Sequence, residues 1–268
     1  MAKILLIETS SEVCSAAISV DGEVLALSEN LEASSHAALL TLQISECCKT
    51  AGISLAQLDA VALSRGPGAY TALRVGASVA KGICYALEKP LIAVDTLLAL
   101  AHASRRVIGD PELVIGSPSS NTQIPRSNFH PPAASLERVK HPTSNVFVPL
   151  LDARRQEVWL AVYDEAMVEI APAQPLILEN NSFEKFVSAK TGEWVVSGIV
   201  LAGNGMEKIR SGEFSETVIF SEIKKCSAGY LSVLAEQFFQ NGDFQDIAYF
   251  EPFYMKPPNI TTSFKTLF

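Results

Sequence analysis

Residues 3–104 alternate short apolar runs of strand length with helical stretches, and this order limits the fold more than any other feature of the chain. Three strand-like runs come first, at Lys3–Glu8, Cys14–Val20 and 23–28, and Asp21-Gly22 predicts a hairpin turn between the last two. Helices and strands then alternate, with predicted bounds of 36–51, 58–64, 71–88, 91–94 and 96–104. The order βββαβαβα predicts an α/β fold with helices packed on one mixed sheet.

The second half is less regular. Paired strands are predicted at 145–151 and Glu157–Tyr163, a further strand at 194–202, a short helix at 204–210 and an amphipathic helix at 227–241. This half is interpreted as a possible diverged copy of the first. The Pro-, Ser- and Asn-rich stretch 115–145 is predicted to be a long surface loop. The alternative is a binding arm that uses Arg126, Arg138 and Lys140.

Composition excludes several classes of protein. The net charge of −8 disfavours unaided binding of nucleic acid, because phosphates are held mainly by Lys and Arg. The five cysteines include no Cys-x-x-Cys pair, which fits reduced thiols better than a disulfide framework. No secretory segment and no apolar run of about 20 residues is present. The expectation is a cytoplasmic protein without a membrane segment.

The turn Arg65-Gly66-Pro67-Gly68 between a strand and a helix is the most specific local motif. Free N–H groups at such a turn, together with the helix dipole, suit an anion such as phosphate. The alternative is a tight turn capped by Thr71, which needs no ligand. The motif is not a Walker loop, because the Gly-Lys-Ser/Thr ending is missing.

The segment Glu8-Thr9-Ser10-Ser11 ends the first strand, where actin-like and sugar-kinase-like ATPases hold the metal and phosphates of a nucleotide. Those sites favour Asp, then Gly, then Thr, so Glu and Ser here weaken that interpretation and leave a polar turn as the alternative. The candidate nucleotide-binding residues are therefore Glu8, Thr9, Gly66 and Gly68.

Two further motifs each have a plain alternative. Gly203-Asn204-Gly205 suggests a dinucleotide loop, but Lys208 stands where the third glycine belongs, which favours a strand-to-helix turn. The segment 152–157 offers an acid and an Arg clamp, or simply a hairpin turn with solvated charges. His-Glu-x-x-His, Gly-x-Ser-x-Gly and metal-ligand spacings of histidine are all missing. No catalytic residue, metal ligand or cofactor is predicted.

Taken together, these motifs resemble the TsaB (YeaZ-like) family, strongly over residues 1–103 and moderately over 146–256. The matching features are Ile7-Glu8-Thr9-Ser10 with Cys14-Ser15-Ala16, His36, Arg65-Gly66-Pro67-Gly68 with Tyr70-Thr71 and Leu73-Arg74-Val75-Gly76, Asp152-Ala153-Arg154 with Glu157-Val158-Trp159, and Glu251-Pro252-Phe253-Tyr254-Met255-Lys256. The resemblance implies a two-lobed actin/sugar-kinase-like (ASKHA) fold. We expect an N-terminal lobe at 1–103 and a C-terminal lobe at 104–268.

The resemblance also implies a function. The family takes part in making N6-threonylcarbamoyladenosine at position 37 of tRNA, with a catalytic paralogue, TsaD, and an ATPase, TsaE. The paralogue's His-x-x-x-His metal pair falls on Thr96 and Leu100 here, and leucine offers no ligand atom. We therefore expect a non-catalytic scaffold subunit that meets tRNA only through the complex. The alternative is an active ATP-dependent enzyme of the same fold, such as a small-molecule kinase or a glycoprotease-like protein.

The helices at 36–51 and 71–88 are apolar or small on more than one side, which predicts that each buries two faces. One face packs on the sheet, and the other is expected to dock the TsaD-like partner or, when the chain is alone, a second copy in a homodimer. The alternative is that the C-terminal half of the same chain covers both helices. The predicted interface residues are His36, Leu39, Leu40, Gln43, Arg74, Ser78, Val79, Gly82 and Tyr85, and the residues predicted to shape the glycine turn are Arg65, Gly66, Pro67, Gly68 and Thr71.

Overall fold

The computed structural model describes residues 1–30, 36–109, 144–192, 196–209 and 217–256. Its ten strands are β1 Lys3–Glu8, β2 Cys14–Val20, β3 Glu23–Asn30, β4 Ala60–Gly66, β5 Leu91–Asp95, β6 Ser144–Asp152, β7 Glu157–Tyr163, β8 Glu169–Ile177, β9 Val196–Ala202 and β10 Val218–Phe220. Its five α-helices are α1 His36–Ala51, α2 Tyr70–Leu87, α3 Thr96–Gly109, α4 Ser182–Thr191 and α5 Ser232–Asn241.

The first sheet has the strand order β3-β2-β1-β4-β5. The strands β1, β2 and β3 pair antiparallel, as predicted, and β4 and β5 continue the sheet parallel to β1. The inner strands β1 and β4 are apolar on both faces because helices cover both sides of the sheet. Helices α1 and α2 pack on one side, and α5 with part of α3 packs on the other.

The second sheet repeats this arrangement with the order β8-β7-β6-β9-β10. Its β6–β7 and β7–β8 pairs are antiparallel, and its β6–β9 and β9–β10 pairs are parallel, so β6 to β10 correspond one by one to β1 to β5. Helix α4 packs on this sheet through Phe183 and Val187. The predicted fold class is confirmed: the protein has two related lobes, each a mixed sheet flanked by helices.

The last helix of each half crosses toward the other lobe. The buried side chains Leu97 and Leu100 of α3 pack with residues of the second sheet, whereas Leu234 and Ala235 of α5 pack on the first. The expected division at 103/104 therefore cuts through α3 and assigns α5 to the lobe on which it does not pack. We propose that the lobes are better defined by packing than by order along the chain.

Local differences from the predictions have simple causes. The helix predicted at 204–210 is a 3₁₀ turn, Asn204–Lys208. The helix predicted from 227 begins at Ser232, after another 3₁₀ turn, Ala228–Leu231. The predicted strand start at Trp194 and nearly all of 115–145 lie outside the described residues. None of the helices in the described ranges is both long and apolar enough to cross a membrane.

Candidate functional site

Glu8 ends β1 inside the protein, where its carboxylate closes a tight turn on its own chain. The N–H of Ser10 donates to Glu8 Oε1 at 2.5 Å, and Glu8, Thr9 and Ser10 are all buried. Burial raises the pKa of the Glu8 carboxyl, although the groups of Ser10 and Ser64 act in the opposite direction. The carboxylate thus serves a backbone group of its own turn.

The glycine turn after β4 is packed against other parts of the same chain. Gly66 has a φ of +113°, and a Cβ there would lie 2.4 Å from the carbonyl oxygen of Phe253. A Cβ on Gly68 would lie 2.3 Å from the carbonyl oxygen of Ser10, which accepts the N–H of Ala69 at 2.7 Å. Glycine is required here because backbone fills the space on both sides.

This packing bears on the candidate nucleotide site of Glu8, Thr9, Gly66 and Gly68. The structure brings these four residues together at the ends of β1 and β4. A phosphate cradle needs N–H groups that face open space. Here the N–H of Ser10 donates to Glu8, and Ser10 lies against Gly68. The hydroxyl oxygen of Thr9 lies 2.4 Å from the position that a Cβ on Gly76 would take. Between the ends of β1 and β4, the space beside Gly68 is thus filled by Ser10 of the same chain.

The other residues predicted to shape this turn have distinct positions. Arg65 accepts the N–H of Phe253 on its carbonyl at 2.7 Å and places its guanidinium 3.8 Å from Asp95. The Gly66–Pro67 peptide is cis. The suggestion that Thr71 caps the helix is wrong, because the N-cap is Ala69 and Thr71 is an exposed residue of the first turn.

Thr96 and Leu100 are the residues at which the resemblance predicts the loss of a metal pair. Thr96 and Leu100 are both buried in α3. The Leu100 methyl group lies against the backbone of Gly203, 3.1 Å from the position of a Cβ there, so an apolar side chain fills this space. Asp95, just before Thr96, uses one carboxylate oxygen to accept the N–H groups of Leu97 and Leu98. Within the described ranges, no group of three or more His, Cys, Asp or Glu side chains could hold a metal ion.

The two remaining motifs are structural turns. Gly203 has a φ of +92°, and a Cβ there would lie 2.2 Å from the carbonyl oxygen of Leu150. In the β6–β7 hairpin, Lys208 Nζ donates to Asp152 at 2.6 Å and to the carbonyl oxygens of Arg155 and Glu157 at 2.7 and 2.9 Å. The charged segment 152–157 is therefore a hairpin turn closed by Lys208.

The predicted docking residues fall into an exposed, a half-buried and a buried group. Arg74, Ser78, Gly82 and Tyr85 form an exposed stripe along α2, with Tyr85 82% exposed. His36, Leu39 and Val79 are half-buried, and Nε2 of His36 donates to the carbonyl oxygen of Ser11 at 3.1 Å.

Two of the predicted docking residues are corrected by the structure. Leu40 packs inside the first lobe, and Gln43 is buried with its Nε2 donating to the carbonyl oxygen of Cys14 at 2.8 Å. These side chains face the sheet, so they cannot contact a partner in the folded state.

Two further residues of the first lobe are exposed and were not predicted as docking residues. Leu42 is 64% exposed on α1, one position before the buried Gln43, because successive helical residues point in different directions. Tyr249 is 85% exposed in the segment after α5. In the sequence, only its apolar side chain distinguishes Leu42 as a candidate contact residue. No local sequence pattern indicates that Tyr249 is exposed.

The comparisons place these features among known proteins. The family model described as "TsaD: tRNA N6-adenosine threonylcarbamoyltransferase" matches residues 30–124. The Haemophilus influenzae protein named "tRNA threonylcarbamoyladenosine biosynthesis protein TsaB" is 37% identical over 101 residues, which cover 38% of this chain and 42% of that protein. The Escherichia coli protein of the same name is 36% identical over 107 residues, covering 40% and 46%.

These two alignments thus span less than half of each relative. The likeness in structure is more extensive. The solved structure "YeaZ from Pseudomonas aeruginosa" superposes with a TM-score of 0.69 at 22% identity, covering 95% of this chain and all of that one. This superposition shows a shared fold across both lobes.

Proposed function

We infer that this chain, which belongs to the TsaB/YeaZ family, is a non-catalytic subunit in tRNA threonylcarbamoyladenosine biosynthesis. In this proposal it binds and supports a TsaD-like catalytic subunit in the cytoplasm, alongside a TsaE-like ATPase. It meets tRNA only through that complex. The names of the two bacterial relatives support the pathway, and the net charge of −8 supports an indirect contact with tRNA.

The exposed stripe on α2 carries the docking proposal. Ser78, Gly82 and Tyr85 follow one another at helical spacing on the solvent side, and nothing lies within 4 Å of a Cβ placed on Gly82. With Leu42 of α1, they form what we call the docking face. A surface helix normally exposes charged residues, whereas small and apolar residues allow a second helix to approach closely. The docking face therefore suits a helical partner.

The partner is proposed to be a related chain because of where the family model matches. Residues 30–124 include α1, α2 and α3, so a TsaD-like protein carries a counterpart of the helices that form the docking face. Two related chains can pair such helices around a pseudo-two-fold axis, as identical chains do around a true one. By the same reasoning, two copies of this chain form a homodimer when the partner is missing.

The packing at the ends of β1 and β4, and that of α3 against the second lobe, supports a non-catalytic role. Ser10 lies against Gly68, and Leu100 lies against Gly203, so the chain itself fills the positions that an ATP-dependent or metal-dependent enzyme of this fold would use. The alternative, an active ATP-dependent enzyme, has less support for this reason. It predicts ATP hydrolysis by the isolated chain, which a coupled phosphate-release assay measures directly.

The docking proposal is tested by placing charge on the docking face. We expect the double variant Ser78→Glu, Gly82→Arg to fold but to lose binding to the TsaD-like protein of the same organism in a pull-down, and to be monomeric by light scattering. The matched control is Ser188→Glu, Ala189→Arg, which puts the same charges on exposed positions of α4 in the other lobe. Unchanged binding and self-association of the docking-face variant would show that the interface lies elsewhere.

A further inference from the structure

Tyr249 presents an exposed ring from a backbone that is held in place on both sides. It lies in the segment 244–256, which follows α5 and returns along the first lobe. Asp246 Oδ1 accepts the N–H of Ala248 at 2.8 Å and the N–H of Tyr249 at 3.3 Å. Just before, the N–H of Gln245 donates to the carbonyl oxygen of Leu91 at the edge of the first sheet, at 2.8 Å.

A lysine of α2 fixes the same stretch from the other side. Lys81 Nζ donates to the carbonyl oxygens of Ala248 at 3.4 Å and Phe250 at 3.2 Å, the two neighbours of Tyr249. Phe250 is buried in the core, and Ile247 packs against it. The backbone of Tyr249 is thus already ordered, so a partner that covers the ring loses little conformational entropy on binding.

The position of Lys81 also places Tyr249 beside the docking face. Lys81 and Tyr85 are four residues apart on α2 and therefore lie on the same side of the helix. Both tyrosines are more than four-fifths exposed, and Gly82 beside them has open space above it. Tyrosine is one of the residue types enriched among the hot spots of protein interfaces.

We propose that Tyr249 and Tyr85 are the aromatic anchor residues through which this chain binds its TsaD-like partner. This inference rests on the proposed function and adds a second element to the docking face. Tyr249 lies outside residues 30–124, so it extends the surface beyond the helices that the two families share. The occupant is the related chain, because residues 30–124 give it a counterpart of α2 that can pack in the open space above Gly82.

The experiment measures the affinity of the TsaD-like protein for variants of the full chain by isothermal titration calorimetry. We expect Tyr249→Ala to weaken binding about tenfold or more and Tyr249→Phe to retain most of it. Asp246→Ala, which frees the backbone but keeps the ring, should also weaken binding. Asp246→Asn, whose amide oxygen accepts the same N–H groups, should restore it.

Thermal unfolding separates these effects from loss of fold, since Tyr249→Ala removes an exposed ring and should change Tm by less than about 2 °C. The control Ile177→Ala removes an exposed apolar side chain from β8 and should leave binding unchanged.

The outcomes distinguish the inference from the proposed function. If wild-type chain does not bind the TsaD-like protein, the proposed function fails. If charge at Ser78 and Gly82 abolishes binding but Tyr249→Ala binds as tightly as wild type, the proposed function stands and the anchor inference is overturned. If Tyr249→Ala weakens only self-association, the occupant of the anchors is a second copy, which also overturns the inference.

Discussion

The two lobes end their first strands with the same local turn but in different surroundings. In the first lobe, the N–H of Ser10 donates to Glu8 at 2.5 Å, and in the second, the N–H of Arg154 donates to Asp152, also at 2.5 Å. In each case an acid accepts the backbone N–H two residues later, at corresponding ends of β1 and β6. The turn is therefore a property of the repeated fold.

The surroundings of the two acids decide what each can do. Glu8 is only 1% exposed, and burial raises the pKa of its carboxyl. The side chain of Asp152 is 42% exposed and forms an ion pair with Lys208 at 2.6 Å. An acid at the end of the first strand is therefore not by itself a nucleotide site, because the second lobe uses Asp152 at the corresponding position to shape an open hairpin.

The glycine pairs after β4 and β9 also correspond. Gly66 and Gly203 both have positive φ and leave no room for a Cβ beside a carbonyl oxygen. Gly68 and Gly205 pack on the end of the first strand of their lobe, against Ser10 and against Leu150 and Leu151. The repeat indicates that Gly-x-Gly serves close backbone packing in both lobes.

The helical segments that follow these turns are the clearest difference between the two lobes. The first turn leads into α2, which has 18 residues, and the second leads into a 3₁₀ turn of 5 residues. The docking face accordingly lies on the first lobe alone, although both lobes share one strand order.

Replacing Gly68 should destabilise the protein most, because this glycine packs directly against backbone. We expect Gly68→Val to lower the free energy of unfolding by about 3 kcal/mol or more, because its Cβ would lie 2.3 Å from a carbonyl oxygen of rigid backbone. Gly205→Ala, with its nearest atom at 2.9 Å, should cost less. Urea denaturation followed by circular dichroism measures both.

Gly82→Ala is the control for these glycine variants, because it adds a methyl group in open space within a helix and should be neutral or slightly stabilising. If Gly68→Val were as stable as wild type, the close contact with Ser10 would not restrict this position.

The sequence predicted the first lobe well because its strands are continuous apolar runs and its helices are bounded by Gly52 and Pro90. It missed β8 because Pro172 and Pro175 argue against a strand, and they are tolerated here since β8 is an edge strand. It missed α4 because that helix is mostly polar, with a narrow buried stripe at Phe183, Val187 and Thr191.

The candidate site was less predictable because it depends on contacts between distant residues. Leu40 and Leu42 look alike in sequence, and only the rotation of α1 on the sheet buries the first and exposes the second. The contact between Gly66 and Phe253 joins residues far apart along the chain, so the sequence suggested that Gly66 needs glycine without revealing what fills the space.

A hydrogen-bonded bridge through Asn204 connects the two lobes. Asn204 lies inside the second glycine pair, donates from Nδ2 to Glu12 of the first lobe at 2.9 Å and accepts the N–H of Asp152 at 2.9 Å. Asn204→Asp keeps the acceptor but places a second carboxylate beside Glu12. We expect a loss of about 1 to 2 kcal/mol in the free energy of unfolding at pH 7 and a smaller loss at pH 4.

Gln240→Glu provides the matched control for this bridge, because Gln240 donates to Glu236 at 2.7 Å within the single helix α5. Its cost should be no more than about 0.5 kcal/mol, as for other exposed like-charge pairs in helices. Equal costs for Asn204→Asp and Gln240→Glu would mean that the interlobe bridge contributes no more than a surface pair.

The smallest effect compares the two acids directly and should differ in sign between the lobes. The pKa of Glu8 in the folded state lies above its ordinary value of 4.5. As the pH rises past 4.5, the folded state therefore keeps a proton that the unfolded state has lost. Wild type consequently loses stability as the pH rises from 4.5 through the folded pKa. Glu8→Gln keeps an oxygen for the Ser10 N–H and removes this loss, so its gain in stability over wild type should be near zero at pH 4 and larger at pH 8.

Asp152→Asn instead weakens the pair with Lys208 and should cost at most about 1 kcal/mol at pH 7, since the pair is partly exposed. Thermal unfolding of both variants at pH 4, 6 and 8 measures these differences. A gain for Glu8→Gln that does not grow with pH would show that the buried carboxyl is not what limits stability at the end of β1.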